Sequence, residues 1–302
     1  MRVLVTGGAG FVGTNLIKRL LKDGHEVISV DNYSTGKIEN QQKGCKYYYK
    51  DLSNSQWWAL WDECFCEWSC DCQIESVDII YHLAALPRIV PSFKKPLDTY
   101  NSGPLATINV LDWARKYETP VIYAGSSSVK GDVYANPYTF TKWQNEHLLE
   151  LYNKVFNVPT SICRFYNVYG EHQANEGSYC NVLGIFERLY SEGKPLTITG
   201  DGEQRRDFTY VGDIVDGLVR CGKALFMAEI NGESFELGNG KNYSVNEVAG
   251  AFGKNYPTNN IDARPGEVRE SLNKDTKARD VLGWKPKGDI VKFIKENYVF
   301  DK

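Results

Sequence analysis

A glycine turn at the start of the chain constrains its fold more than any other feature. A short apolar run, Arg2–Val5, leads into the turn, and an amphipathic pattern follows over Phe11–Lys22. Gly7, Gly10 and Gly13 are spaced three residues apart. Such glycines permit a tight turn, close approach of the backbone to a pyrophosphate, and close packing of helix on strand. The segment therefore predicts a strand, a turn and a helix whose N-terminus binds phosphates.

Strand and helix patterns alternate through the first 165 residues. The later predicted strands and the longest predicted helices of this part are Glu26–Val30, Val77–His82, Val121–Tyr123, Thr160–Phe165, Thr99–Lys116 and Tyr138–Phe156. Such alternation is typical of a parallel sheet with helices on both faces. From about Glu171 the pattern is less regular, with predicted strands at Leu196–Ile198 and Ser234–Leu237 and predicted helices at Val245–Phe252 and Ile290–Tyr298.

Charge and hydropathy exclude several classes of function. The 35 Lys and Arg residues nearly balance 38 Asp and Glu residues, so no strong field attracts nucleic acid or an anionic membrane. No apolar stretch approaches the length of a membrane span, and the N-terminal apolar run is too short for a signal peptide. We therefore expect a cytoplasmic protein that binds neither nucleic acid nor membrane, and whose cysteines are thiols.

Four of the eight cysteines lie in the segment Cys64–Cys72. A metal site is one interpretation, and a helix rich in Cys and Trp is the other. Zinc sites usually pair Cys-x2-Cys knuckles, whereas this segment has Cys-x-Cys twice. We therefore predict no metal.

Asp31 ends the second predicted strand, 18 residues after Gly13. A carboxylate at this place accepts hydrogen bonds from the adenosine ribose hydroxyls and repels a 2′-phosphate. The glycine turn together with Asp31 favours NAD over NADP as the cofactor. The alternative is a glycine-rich turn with a purely structural role.

Tyr138 and Lys142 lie one turn apart on a predicted helix, which Asn136 can cap and Pro137 can start. A free tyrosine titrates near pH ~10 and is a poor base at neutral pH, but a nearby ammonium favours the phenolate. The pair thus indicates an acid/base tyrosine, although a Tyr-x3-Lys pair alone is usually a solvated helix face.

Three serines, Ser126 to Ser128, follow the predicted strand Val121–Tyr123. The ends of parallel strands are where open α/β sheets bind ligands. One of these serines could hydrogen-bond a substrate hydroxyl, and three adjacent serines also make an ordinary polar turn.

Together these motifs resemble the extended short-chain dehydrogenase/reductase family, in particular its sugar-nucleotide branch. Further matching segments are Asp51-Leu52, His82–Ala85, Arg164–Gly170, Arg206–Asp213, Arg264–Glu267 and Leu282–Trp284. The resemblance implies an α/β protein with a Rossmann-type doubly wound parallel sheet and a smaller C-terminal α/β substrate domain. Residues 1–170 would bind NAD and residues 171–302 the sugar nucleotide, with the part near 205–225 packing back on the first domain.

The resemblance also implies site residues and an assembly. The catalytic residues would be Ser126, Tyr138 and Lys142. The residues at the cofactor would be Gly7, Gly10, Phe11, Val12, Gly13, Asp31, Asn32, Asp51, Leu52, Leu83, Ala84, Ala85, Tyr138 and Lys142. Those at the substrate would be Arg88, Ser127, Asn167, Arg206, Arg264, Glu267 and Ser271. Family members dimerise through helices that correspond to Thr99–Lys116 and Tyr138–Phe156, so a homodimer is expected.

Within this branch the chain most resembles UDP-hexose 4-epimerases. The related 4,6-dehydratases carry an Asp-Glu pair directly after the catalytic Thr, and UDP-glucuronate decarboxylases usually carry Glu where Ser128 stands. Ser127 and Ser128 cannot act as carboxylate acid/bases. The resemblance thus implies 4-epimerisation of a UDP-sugar. In this family a gatekeeper residue lies beside the C2 substituent of the sugar, and the resemblance places Ser271 at that position. Its small side chain implies room for an N-acetyl group.

Two other functions stay open on the sequence. One is a 4-keto-sugar reductase or another net oxidoreductase, and the other is a non-catalytic NAD-binding sensor. The chain also departs from the family at Lys130, where tyrosine is usual, and has a shorter segment before Tyr138. These departures leave the identity of the sugar open.

Overall fold

The computed structural model describes residues 1–54, 76–263 and 268–299. The strands and helices of the first half are β1 (Arg2–Thr6), α1 (Phe11–Lys22), β2 (Glu26–Asp31), β3 (Cys45–Tyr49), β4 (Ile79–His82), α2 (Ile89–Lys94), α3 (Pro96–Tyr100), α4 (Ala106–Lys116), β5 (Val121–Ser126), α5 (Pro137–Phe156) and β6 (Thr160–Phe165). The segment Cys64–Cys72, considered above as a metal site, lies outside the described residues.

The second half adds β7 (Asn167–Tyr169), α6 (Val182–Ser191), β8 (Leu196–Thr199), β9 (Arg205–Tyr210), α7 (Val211–Phe226), β10 (Glu233–Leu237), β11 (Asn242–Ser244), α8 (Val245–Gly250), β12 (Thr258–Ile261), α9 (Lys277–Leu282) and α10 (Ile290–Asn297). None of the helices in the described residues is long and apolar enough to cross a membrane.

In the described residues, seven strands form the main sheet, in the order β10-β6-β5-β4-β1-β2-β3. Strand β1 pairs in parallel with β2 on one side and with β4 on the other, and the β2–β3 and β4–β5 pairs are also parallel. The strand order reverses at β1 and β4, and ligands of open α/β sheets bind at the carboxyl ends of strands at such a reversal. The predicted Rossmann-type α/β fold is confirmed.

Contacts divide the chain into two compact units. The first comprises residues 1–164 and 218–235, and the second comprises residues 165–217 and 236–302. The first unit has a core of buried apolar side chains around Leu4, Ile28, Val110 and Trp113. The second has its own core, around Phe186. Each unit therefore has the apolar interior that a folded domain requires.

The predicted helix Thr99–Lys116 differs from the structure in one turn. Helix α3 ends at Tyr100, a π-helical turn covers Asn101–Leu105, and α4 follows. Pro104 lies inside this turn and lacks the N–H that a regular α-helix would use. Gly103 lets a neighbouring helix come close, because a Cβ there would be 3.2 Å from the Cβ of Thr141.

Candidate active site

The glycine turn after β1 has the geometry of a phosphate-binding loop. Gly7 adopts φ +72°, and a Cβ there would lie 2.8 Å from the amide nitrogen of Ala84. A Cβ on Gly13 would lie 2.2 Å from the carbonyl oxygen of Gly7, so α1 packs directly on the turn. Among the described residues, a Cβ on Gly10 would meet the Gly7 oxygen alone, at 3.2 Å. The outer side of the turn is therefore open to a ligand.

Gly10 occupies the N-cap of α1 and has no side chain with which to cap it. Phe11 and Val12 form the first turn, whose N–H groups have no carbonyl partner within the helix. No acidic side chain lies in that turn. Unpaired N–H groups and the positive end of the helix dipole together suit a phosphate.

The backbone N–H and the backbone carbonyl of Ala9 are both hydrogen-bonded. Its N–H donates to Oδ2 of Asp31 at 2.9 Å, and its carbonyl accepts from Nδ2 of Asn40 at 2.9 Å and from the amide of Lys37 at 3.2 Å. Oδ1 of Asp31 accepts from the amide of Tyr33 at 2.7 Å. A carboxylate has about four acceptor positions, and contacts with the described residues use two of them. Asp31 can therefore still accept bonds from ribose hydroxyls.

Burial raises the pKa of Asp31, and the bonds from Tyr33 and Ala9 act to lower it. Next to it, Nδ2 of Asn32 donates to Oδ2 of Asp51 at 3.1 Å. Burial acts to raise the pKa of Asp51, but the bonds from Ser53 and Asn32 outweigh it and the pKa is lowered. The structure thus brings together the polar residues assigned to the adenosine end of NAD.

The end of β4 lies beside the same turn. Leu83 and Ala84 donate their amides to the hydroxyl of Thr6, each at 3.2 Å. Nδ1 of His82 is 2.7 Å from that hydroxyl, and its Nε2 is 3.1 Å from the hydroxyl of Thr107. Burial lowers the pKa of His82 to about 3, so the ring is neutral, and its two contacts connect β4 to β1 and to α4. Glycine turn, carboxylate and strand ends together fit a dinucleotide.

The helix that carries the tyrosine and lysine begins as its sequence predicts. Asn136 accepts the amide of Thr139 at 2.8 Å, and Pro137 occupies the first turn of α5. The amide of Tyr138 donates to the hydroxyl of Ser92, in α2, at 3.2 Å. Ser92, which the sequence did not single out, is buried and joins α2 to α5 at Tyr138.

The pKa of the Tyr138 phenol is raised by burial, while the Ser126 side chain and the charge of Arg88 act to lower it. Arg88 precedes α2 with φ +89°, a conformation that residues other than glycine rarely adopt. Strained backbone of this kind clusters at functional sites.

Lys142 is buried one turn further along α5. Its Nζ donates to the carbonyl of Ala124 at 2.7 Å and lies 4.8 Å from the centre of the Tyr123 ring. Burial lowers the pKa of Lys142 to about 8, and the charge of Glu146 acts to raise it. The ammonium therefore exists at neutral pH.

Glu146 is a site residue that the sequence analysis missed. Its carboxylate accepts hydrogen bonds from the Arg164 guanidinium: Nε donates to Oε1 at 3.0 Å and to Oε2 at 3.2 Å, and Nη2 donates to Oε2 at 2.7 Å. Glu146 is only 6% exposed, and its charge acts to keep the buried Lys142 protonated. The signal was present, because Tyr138, Lys142 and Glu146 are spaced by four and share one helix face.

The three serines occupy a short 3₁₀ turn, Ser127–Lys130, and its N-cap. Ser126 is that N-cap: its Oγ accepts the amide of Ser128 at 3.2 Å and lies 3.0 Å from Oγ of Ser128. Of the three serines, Ser126 is the one whose side chain acts to lower the pKa of Tyr138, while Ser127 lies half-buried at the start of the turn.

In the second unit, two residues assigned to the substrate contact each other. Nδ2 of Asn167 donates to Oγ of Ser271 at 3.3 Å and to the carbonyl of Asp207 at 3.2 Å. Arg206 is next to Asp207 on β9 and donates through Nη1 to the carbonyl of Arg205 at 2.9 Å. The other two assigned residues, Arg264 and Glu267, lie outside the described residues.

The acidic residues of the segment Arg206–Asp213 have structural contacts. The buried carboxylate of Asp207 accepts the amides of Asn239 at 2.7 Å, Gly240 at 2.9 Å and Asn273 at 3.0 Å. Asp213 similarly accepts two loop amides, at 2.9 and 2.7 Å. These two carboxylates therefore hold loops of the second unit in place.

Comparison with known proteins agrees with this geometry. Residues 3–238 match the model of the NAD dependent epimerase/dehydratase family. UDP-glucose 4-epimerase of Mycolicibacterium smegmatis is 30% identical over 99% of this chain and 98% of its own. UDP-glucuronic acid decarboxylase 2 of Arabidopsis thaliana is 32% identical over 95% of this chain and 65% of its own.

Among solved structures, the UDP-glucose 4-epimerase of Thermotoga maritima, crystallised with UDP-glucose, is similar with a TM-score of 0.85. It is 27% identical, with 98% of this chain and 96% of that chain covered. The family match extends from β1 to the end of β10, so it includes the glycine turn and the Tyr138–Lys142 pair. The chain therefore belongs to the NAD-dependent epimerase/dehydratase family, and its cofactor is NAD.

Proposed function

We propose that the protein is an isomerase that interconverts the C4 epimers of a UDP-hexose through a transient 4-keto sugar. The observation that carries this proposal is the placement of Lys142, whose Nζ donates at 2.7 Å to the carbonyl of Ala124, two residues before Ser126. Tyr138 lies one turn before Lys142 on α5, and residues 127 and 128 carry hydroxyls. The proposal draws further support from UDP-glucose 4-epimerases that are similar along nearly their whole length.

Each catalytic residue has a distinct task in this reaction. Tyr138 removes the proton from the O4 hydroxyl and later returns it to the same oxygen. The Lys142 charge favours the phenolate form of Tyr138 that can act as a base. Ser126 bonds the phenol and orients it. Bound NAD supplies a hydride acceptor at C4, and Gly7, Gly10, Gly13 and Asp31 would hold it.

The chemistry at residues 127 and 128 favours epimerisation over the reactions of related enzymes. Dehydration of the sugar also needs a proton removed from C5 and one delivered to the C6 hydroxyl. Carboxyl groups can act as the general base and the general acid in these two transfers. Ser127 and Ser128 carry hydroxyls, which remain protonated at neutral pH. The reaction that needs no further acid/base is return of the hydride to the other face of C4.

On the substrate side we propose that Arg88 and Ser127 contact the sugar and that Asn167 and Arg206 contact the nucleotide. Arg264 and Glu267 are proposed for the nucleotide from the family resemblance alone. Ser271 is the proposed gatekeeper at the C2 substituent of the sugar. Its small side chain leaves room for an N-acetyl group, so UDP-GlcNAc and UDP-GalNAc are proposed as additional substrates.

We also propose a homodimer. The helices that form the family's dimer contact expose apolar side chains here: Ile108 of α4 is 37% exposed, and Leu151 and Val155 of α5 are 48% and 58% exposed. Exposed apolar side chains on neighbouring helices suit a protein interface. Light scattering at micromolar concentration tests this, and a monomeric mass would contradict it.

The test of the function is a product screen. The enzyme with NAD and no reductant is incubated with UDP-, GDP- and dTDP-sugars, and products are resolved by NMR while absorbance at 340 nm is followed. We expect UDP-glucose and UDP-galactose to interconvert without a lasting change at 340 nm. A stoichiometric rise in absorbance at 340 nm, from NAD reduced as the sugar is oxidised, would indicate a net oxidoreductase. Loss of CO₂ from UDP-glucuronate would indicate a decarboxylase, and NAD binding without turnover would indicate a sensor.

A further inference from the structure

The backbone carbonyl of Ala9, in the glycine turn, has both of its acceptor positions filled. Nδ2 of Asn40 donates to it at 2.9 Å, and the amide of Lys37 donates to it at 3.2 Å. A backbone carbonyl has two lone pairs, so these two donors use both of them. The N–H of the same peptide, that of Gly10, donates to the Gly7 carbonyl at 3.2 Å. The peptide between Ala9 and Gly10 is therefore fixed at both of its polar atoms.

The loop after β2 is shaped to make these bonds. The carbonyl of Lys37 accepts the amide of Asn40 at 3.0 Å across the 3₁₀ turn Ile38–Asn40, and the side chain of Asn40 returns from the end of that turn to Ala9. Gly36 lets the loop come close, because a Cβ there would lie 2.9 Å from the carbonyl carbon of Ala9. Three residues of one short loop thus lie against the same peptide.

This peptide lies between the two parts of the cofactor site. The N–H of Ala9 donates to Oδ2 of Asp31 at 2.9 Å, and Gly10 is the N-cap of α1. The N–H groups at the start of a helix attract a phosphate, whereas a carbonyl oxygen turned toward the phosphate would repel it. Because the loop occupies the Ala9 carbonyl, this oxygen is kept from turning toward the ligand.

We propose that Asn40 is a positioning residue of the NAD site. Through Ala9 it keeps the glycine turn and the Asp31 carboxylate in the arrangement that binds the pyrophosphate and the adenosine ribose. Of the two bonds to the Ala9 carbonyl, that of Asn40 is the shorter, and it is the one that a side-chain substitution can remove. This role concerns the cofactor, so it does not depend on which sugar reaction the enzyme catalyses.

The test is the affinity of the full chain for NAD, measured by isothermal titration calorimetry after bound nucleotide has been removed. Asn40→Ala removes the donor. Asn40→Asp keeps the size of the side chain, but an ionised carboxylate can only accept, so it cannot bond the Ala9 carbonyl. Asn260→Ala is the matched control, because Nδ2 of Asn260 also donates to a backbone carbonyl, that of Gly200 at 2.8 Å, in the other unit.

We expect the affinity for NAD to fall about three- to tenfold in Asn40→Ala, the effect of one lost hydrogen bond, and at least as much in Asn40→Asp. The Asn260→Ala control should bind NAD like the wild type. Without NAD, differential scanning fluorimetry should show similar small losses of stability in Asn40→Ala and Asn260→Ala, since each loses one bond of the same kind. Wild-type affinity in Asn40→Ala would overturn the proposal, and so would wild-type affinity in Asn40→Asp, which would assign Asn40 a packing role.

A double-mutant cycle tests the path through Ala9. In an Asp31→Ala background, Asn40→Ala should weaken NAD by a smaller factor than in the wild type, because part of its effect passes through Asp31. A residue that only stabilises the fold would cost the same factor in both backgrounds. Equal factors would therefore overturn the proposal.

Should the Asn40 variants not fold, Gly36→Ala tests the same contact. Its Cβ would lie 3.0 Å from the Ala9 carbonyl oxygen and push the loop away from the turn, so the affinity for NAD should fall. Wild-type affinity in Gly36→Ala would overturn the proposal. None of these measurements needs a sugar. A chain that binds NAD without epimerising any sugar would overturn the proposed function, while the affinities would still decide the role of Asn40.

Discussion

Two glycines of the same turn should respond to an added methyl group in opposite ways. A Cβ at Gly13 would lie 2.2 Å from the Gly7 carbonyl oxygen and 2.7 Å from the Gly8 Cα, both backbone atoms that cannot move independently. A Cβ at Gly10 would meet the Gly7 oxygen at 3.2 Å, and Gly10 has φ −80°, which alanine readily adopts. Gly13→Ala should therefore lower the stability of the fold, whereas Gly10→Ala should lower the affinity for the ligand.

The expected sizes follow from these contacts. Forced overpacking costs about 1–3 kcal/mol, which outweighs the gain of up to ~1 kcal/mol from alanine in a helix. Gly13→Ala should thus lower the melting temperature by several degrees, roughly 2–4 °C for each kcal/mol. Gly10→Ala should melt within about 2 °C of wild type, but its methyl group would occupy the open side of the turn. The affinity of the Gly10→Ala variant for NAD should fall by about tenfold or more, which corresponds to a loss of at least about 1.4 kcal/mol of binding free energy.

Differential scanning fluorimetry without and with NAD measures the stabilities, and isothermal titration calorimetry measures the affinity. Gly24→Ala is a control for the calorimetry, because a Cβ there would meet nothing within 4 Å among the described residues, although its φ of +82° makes a stability cost expected. A Gly13→Ala protein as stable as wild type would refute the packing argument. Wild-type affinity for NAD in Gly10→Ala would refute the assignment of the phosphate site.

The remaining predictions concern the cofactor, the base and the sugar. Tyr138→Phe should lower kcat by about 10²- to 10⁴-fold, the usual contribution of a general acid/base, and a loss of only a few-fold would assign the base to another group. Ser126→Ala should cost less than this in the same steady-state assay; a larger loss in Ser127→Ala would shift the serine assignment by one residue. Asp31→Ala should weaken NAD and relieve the exclusion of NADP in calorimetry, and equal wild-type affinities for both would contradict the role of Asp31. Ser271→Tyr should abolish turnover of UDP-GlcNAc but spare UDP-glucose in the NMR assay, and an unchanged preference would remove Ser271 as gatekeeper.

The parts of the fold that the sequence predicts are those whose signals are local. The turn from β1 to α1 depends on glycines within seven residues, and the start of α5 depends on Asn136 and Pro137, which form the expected cap. Strand β3 was not predicted because it lies at the edge of the sheet, where none of its five side chains is fully buried, so the sequence shows no apolar run there.

Helix α7 was also not predicted, because its glycines weaken the helical pattern. Gly222 is explained by a distant residue: a Cβ there would collide with the Tyr81 hydroxyl. The same limit applies to the site. Ser92 reaches Tyr138 across 46 residues, and the donor to Glu146 is 18 residues away, so neither contact has a signature in the local sequence.

The burial of Lys142 also has a consequence for how the stability of the fold changes with pH. Its pKa is about 8 in the folded protein and about 10.4 in an unfolded chain. Between these values the unfolded chain binds a proton that the folded protein has released, so stability rises with pH across this window. Below pH 8 both states carry the proton, and the folded state bears the whole cost, on the order of 3 kcal/mol. At neutral pH the protein is thus less stable than it would be if Lys142 kept its ordinary pKa in the folded state, because its ammonium is held in a buried site.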